Sequence, residues 1–193
     1  MKIEYDTIVV NLYGGPSSGK STTAAQFFAW LKLNGFESEL ATEYAKDKVW
    51  QGNLATFQDQ FYVSAHQHNR VFSLCGQVAY VVTDSPVLMS ATYANPDDKA
   101  LKDLIVDRHS QYNNINIWVD RDVETYSENG RLQTLEEAQE IDGKIKEWVE
   151  SVDKFHFNIN KYVDMEEVFK NIRWAVNKFN IGGKKPRKNF NPC

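Results

Sequence analysis

The chain has 193 residues, of which 42% are hydrophobic, 25% charged and 13% aromatic. These are the proportions of an ordinary globular protein, large enough for one substantial core. A net charge of −4, from 22 basic and 26 acidic side chains, argues against a general basic nucleic-acid coat but permits a local basic groove.

The N-terminus carries no charged-then-apolar leader pattern, and no apolar run approaches the roughly 20 residues of a membrane span. Cys75 and Cys193 share no metal-ligand spacing. The expectation is a reduced, cytoplasmic setting with free thiols and no membrane partner.

In chain order, residues 7–13 (TIVVNLY) read as a buried parallel strand, and 21–31 (STTAAQFFAWL) as a helix. Between them lies Gly14-Gly15-Pro16-Ser17-Ser18-Gly19-Lys20-Ser21-Thr22, which fits G-x-x-x-x-G-K-[ST] at every position. Strand, glycine loop and helix together aim backbone N–H groups and the positive end of a helix dipole at a polyphosphate. Gly14, Gly15 and Gly19 let the backbone wrap it closely. Lys20 is expected to bridge the β- and γ-phosphates of ATP, and Ser21 to offer its hydroxyl to Mg²⁺.

Gly35 closes the first helix. Residues 36–42 (FESELAT) read as a second strand and 43–50 as a helical piece. A longer helix is predicted over 54–74, with Phe57, Phe61, Ala65 and Phe72 along its apolar stripe. Residues 78–83 (VAYVVT) form a buried strand ending in Asp84-Ser85-Pro86. Helical segments follow over 87–93 and 99–108, then a strand over 114–119 and a polar stretch over 120–133.

Thr134 and Glu137 make a capping box for a helix reaching Val152. Residues 154–159 read as the last strand, and Asp164 with Glu167 caps a final helix marked by Met165, Phe169, Ile172, Val176 and Phe179. This alternation predicts an α/β fold of the P-loop NTPase type, a sheet of about five parallel strands covered by helices on both faces. The domain is placed at 1–181. A basic tail, 182–193, carries Lys184, Lys185, Arg187 and Lys188.

Open α/β sheets bind ligands beyond the carboxyl ends of their strands. Glu43, Asp84 and Arg121 fall there. Asp84 has the setting of a Walker-B type carboxylate for Mg²⁺, although Asp also favours such corners. Glu43 suits an acceptor hydroxyl, as orienter or proton acceptor; complementing a helix N-terminus would equally explain it.

Asp47, one turn beyond Glu43, together with Gln67, Arg70 and Arg121, is assigned to acceptor binding. Arg131, in Ser127-Glu128-Asn129-Gly130-Arg131, is assigned to a lid that brings a guanidinium to the transferring phosphoryl group.

With these residues placed, the chain resembles the P-loop kinase family that includes the bacterial ribosylnicotinamide kinase domain and phage-encoded nucleotide and 5-hydroxymethyluracil DNA kinases. The resemblance spans about residues 7–179. It is carried by GGPSSGKST, by Thr42-Glu43-Tyr44-Ala45-Lys46-Asp47, by Val82-Thr83-Asp84-Ser85-Pro86, and by Gly130-Arg131-Leu132-Gln133-Thr134 with Glu136, Glu137, Ala138, Ile141 and Asp142.

It implies ATP- and Mg²⁺-dependent phosphoryl transfer to an alcohol, in the host cytoplasm if the chain is phage-encoded. The acceptor class is nucleoside, nucleotide or hydroxymethylated base, with DNA a candidate partner. A ribosylnicotinamide-type small-molecule kinase and a partner-coupled P-loop ATPase without an acceptor pocket are the alternatives. The oligomeric state is left open.

Overall fold

The computed structural model of the chain describes residues 5–122 and 134–183. Five strands, β1 (Ile8–Tyr13), β2 (Ser38–Ala41), β3 (Tyr80–Thr83), β4 (Asn113–Asp120) and β5 (Phe157–Asn160), form one sheet. Its order is β2-β3-β1-β4-β5, and every pairing is parallel. The helices are α1 (Lys20–Leu33), α2 (Tyr44–Trp50), α3 (Gln60–Phe72), α4 (Lys99–Ser110), α5 (Leu135–Val152) and α6 (Met165–Lys178). The expected P-loop architecture is the one observed.

β1 is buried at all six positions because strands flank it on both edges and helices cover both faces. Its alternate residues serve two cores. Val9 and Tyr13 join Val71, Leu88, Leu101, Ile105 and Ile145 on one face. Val10 and Leu12 join Phe27, Leu31, Ile117, Val168 and Ile172 on the other. Parallel order also brings the ends of β1, β2, β3 and β4 to one edge of the sheet, where the predicted site residues collect.

Several elements differ from the sequence expectation. The stretch 54–74 is two pieces: a 3₁₀ turn, Leu54–Gln58, and then α3. Asp59 caps α3 by accepting from the Tyr62 amide at 3.0 Å, which restarts the helix with a new phase. Its buried face is therefore Val63, Ser64, Gln67 and Val71, while Phe61 is 58% exposed and Ala65 also faces solvent.

The helical segment expected over 87–93 is present, as a 3₁₀ helix after Pro86. β2 occupies only part of its predicted span, and β5 starts three residues later and ends one residue later than predicted. The Thr134–Glu137 capping box is present, whereas Asp164 caps α6 through the Glu166 amide, without Glu167. Gly35, at φ +78°, ends α1 as anticipated.

The face of the sheet that carries Val9 and Tyr13 also holds a buried polar network. Asn11 Nδ2 donates to the side-chain oxygens of Asn114 (2.9 Å) and Asn116 (3.0 Å). Asn116 Nδ2 donates to Asp153 Oδ2 at 2.9 Å, and the same oxygen meets His109 Nε2 at 2.9 Å. Burial acts to raise the Asp153 carboxyl, but His109, the Lys154 amide and Asn116 more than offset it and hold it near about 2.

His156 is lowered, chiefly by burial, and its Nδ1 accepts from the Asn116 amide at 3.0 Å, a bond that protonation at Nδ1 would remove. Both shifts are depressions, so both groups favour the fold above their unfolded values and lose that contribution on acidification. Melting midpoints should fall as pH drops below about 6.5 and again below about 4. A smaller first drop in His156→Gln identifies its origin; an unchanged one refutes it.

Candidate active site

β1 runs into the glycine loop and α1 leaves it at Lys20. Gly19 is the N-cap of α1 at φ +97°, a conformation glycine adopts without steric cost, and it has no side chain to satisfy the first amides. The first turn of α1 contains no acidic residue. Its opening amides and dipole are thus available to an anion.

Ser17 also has a left-handed φ of +67°, uncommon for a residue with a side chain and typical of backbone shaped around a ligand. Ser18 is buried with its hydroxyl unpartnered. Ser21 and Thr22 are exposed in the first turn.

Lys20 folds back, and its Nζ donates to the Gly15 carbonyl at 2.8 Å. Burial lowers its pKa from the ordinary lysine value, while the charges of Glu43, Asp84 and Asp142 work to keep it protonated. Glu43 follows β2 as the N-cap residue of α2. Burial raises its carboxyl above the usual glutamate value; Lys20 opposes this and Asp84 adds to it.

Asp84 follows β3, the immediate neighbour of β1. Thr83 shapes its turn: the hydroxyl donates to the Ala41 carbonyl (2.8 Å) and accepts from the Ser85 amide (3.1 Å). One ammonium and two carboxylates from three strand ends therefore share one electrostatic environment.

Two cavities meet at this group. One, of about 300 Å³, has Ser21, Thr42, Glu43, Asp47 and Asp84 among its walls. The other, of about 440 Å³, is lined by Glu43, Phe57, Gln67, Ser85, Met89 and Tyr93 among others. Glu43 belongs to both. Asp84 is 6% exposed, and its Oδ1 is buried with no hydrogen-bond partner.

An orphaned buried carboxylate oxygen sharing a cavity with a serine hydroxyl is an all-oxygen donor set, which suits Mg²⁺ completed by phosphate oxygens and water. Ser21 and Asp84 thus fit the group assigned to them.

The four acceptor-side residues divide. Gln67 is buried in the wall of the larger cavity. Asp47 lines the smaller one and is ion-paired with Arg70, whose Nη1 also donates to the Thr42 hydroxyl (2.9 Å) and carbonyl (3.1 Å). That tie joins α3 to the end of β2. Arg121 lines neither cavity. It is buried against the phosphate loop, donating to the Pro16 carbonyl and pairing with Asp142 at 2.9 Å. Arg131 and the basic tail residues from Lys184 onward lie outside the described residues.

Asp142, which sequence reasoning left without a role although it sits in the motif quoted for the family resemblance, also reaches the phosphate loop. Its Oδ1 accepts from the Gly15 amide at 2.6 Å while the carboxylate binds Arg121. A Cβ at Gly15 would collide with this carboxylate and approach the Ala138 carbonyl to 3.2 Å, so glycine is required there by proximity. Asp142→Ala should weaken ATP binding about tenfold by freeing the loop, as calorimetry would measure, since a broken buried charge pair leaves its partner uncompensated. Unchanged affinity would remove Asp142 from the site.

No described helix is long and apolar enough to cross a membrane. Comparison with curated proteins finds no significant match. A family model described as AAA domain matches residues 9–167, from β1 through the start of α6, and so takes in every site residue described above. On that match and on the phosphate loop at its centre, the chain belongs to the AAA domain family, a nucleotide-binding P-loop NTPase-like family.

Proposed function

We propose that this protein is an ATP- and Mg²⁺-dependent phosphotransferase with an alcohol acceptor, the hydroxyl of a nucleoside, a nucleotide or a hydroxymethylated base, polymeric DNA included. The observation that carries the reading is the position of Glu43, whose side chain borders both the cavity beside the phosphate loop and a second, larger cavity. A nucleotide switch that only hydrolyses has no need of a second chamber meeting the first at a carboxylate.

In this reading the loop amides and Lys20 hold the β- and γ-phosphates. Ser21 and Asp84 would hold Mg²⁺, which when bound neutralises charge on the phosphate oxygens. Glu43 accepts the proton of the acceptor hydroxyl as its oxygen bonds to the γ-phosphorus; the bond from that phosphorus to the β–γ bridging oxygen breaks, and ADP departs with the electron pair. A carboxylate raised by burial is better matched to that proton than an ordinary one. The rest is positioning and electrostatic stabilisation, the main sources of rate in phosphoryl transfer.

The test is transfer of label from γ-labelled ATP across a panel of nucleosides, mononucleotides and hydroxymethyluracil-containing DNA. Label in an acceptor supports the reading. Hydrolysis without any labelled acceptor, stimulated by a partner protein, overturns it in favour of an ATPase.

A further inference from the structure

The larger cavity contains an unanswered donor. Gln67 is 3% exposed, and its Oε1 accepts the Tyr44 amide at 2.8 Å. That bond fixes the carboxamide's orientation, because a flip would set an NH₂ group against an N–H. Nε2, the other end of the amide, has no partner. Buried amide donors are seldom left unsatisfied, and one in a cavity wall is satisfied when a ligand brings an acceptor atom.

The surrounding surface describes that ligand. Ala45, Val49, Phe57, Val63 and Met89 give apolar walls, and the rings of Phe57 and Tyr93 suit a flat molecule. Glu43, the one carboxylate among the described lining residues, would repel a phosphate placed beside it. Arg70, assigned to acceptor binding from the sequence, is instead committed to Asp47 and Thr42.

We infer that this cavity takes an uncharged, planar acceptor of the nucleoside class, that Gln67 Nε2 donates to a carbonyl or ring acceptor atom of its base, and that the site discriminates against phosphorylated acceptors. The inference rests on the phosphotransfer reading of the same site. Gln67 acts as a specificity residue: it sets which molecule presents its hydroxyl to Glu43.

The experiment uses the full chain with ATP and four kinds of probe: free nucleosides (thymidine, uridine, adenosine), their 5′-monophosphates, a hydroxymethyluracil-containing oligonucleotide, and a phenyl C-nucleoside lacking base acceptor atoms. Nucleosides should show an acceptor KM at least about tenfold below their monophosphates. Gln67→Glu keeps an oxygen for the Tyr44 amide but replaces the donor. It should raise the KM for thymidine about tenfold or more while changing that for the phenyl C-nucleoside little, with the KM for ATP as internal reference.

A purely structural role would shift both probes alike, and that result overturns the assignment of Gln67. Preferred labelling of monophosphates or of the oligonucleotide overturns the inference while leaving phosphotransfer standing. Absence of label in every probe, with ATP still bound, overturns both.

Discussion

Lys20→Ala should lower phosphoryl transfer by at least about 10²–10³-fold, the range found when a single charge-stabilising donor is removed from a transition state. The argument is electrostatic. Lys20 is the cation placed among Glu43, Asp84 and Asp142, and it already gives up part of its proton affinity to burial. Moving it from the Gly15 carbonyl to a phosphate oxygen exchanges a neutral partner for an anionic one, which adds charge–charge attraction to a bond that is already charge-assisted.

The substitution has a second effect. Without the ammonium, Glu43 loses the charge that chiefly restrains its rise, so its carboxyl should titrate higher still. Lys20→Met, which preserves most of the buried chain, separates packing from charge: both variants should lose transfer, while Lys20→Met melts closer to the parent. Transfer retained in either variant would dismantle the nucleotide site.

The second large effect belongs to Glu43. Glu43→Gln preserves shape but removes the proposed proton acceptor, and should reduce kcat by about 10²–10⁴-fold with a much smaller change in ATP affinity. Its sign in pH follows from the raised carboxyl. In the proposed reaction the working form is the carboxylate, so the parent rate should fall as pH drops through a value above the ordinary glutamate range of about 4.3. That acidic limb should vanish from the residual activity of Glu43→Gln. Persistence of the same limb in the variant would assign it to another group and leave Glu43 as a charge complementing the α2 N-terminus.

The legible parts of this molecule are those whose physics is local. The phosphate loop needs nine consecutive residues with a strand before and a helix after, and all three are where the pattern puts them. Glu43 and Asp84 were found because parallel strand ends share one edge, a rule requiring only strand positions.

The rule located Arg121 at the correct edge but could not name its partner. That is Asp142, 21 residues later on α5, which also reaches Gly15 across 127 residues. Such contacts depend on how a helix docks, and periodicity does not encode docking.

The face of α3 was misread for a related reason. Phe57, Phe61, Ala65 and Phe72 make a good stripe if the helix is continuous, but Asp59 interrupts it, and the true inner face includes Ser64 and Gln67. Polar residues at inner positions look like solvent-facing ones in a hydrophobicity pattern. Here they are inside because the Phe61 carbonyl and the Tyr44 amide supply their partners. The same holds for Asn114 and Asn116 in β4, whose amides are matched by Asn11, His109 and Asp153.

Two of the ion pairs near the site differ in their access to dissolved electrolyte. Arg121–Asp142 is 5% and 17% exposed, Arg70–Asp47 28% and 46%. At an ionic strength of 1 M the screening length is only about 3 Å, yet it acts on what solvent reaches. Brine should therefore slacken the wall that α3 braces while the glycine turn keeps its shape, so a salt titration becomes a way to loosen one chamber and leave its neighbour set.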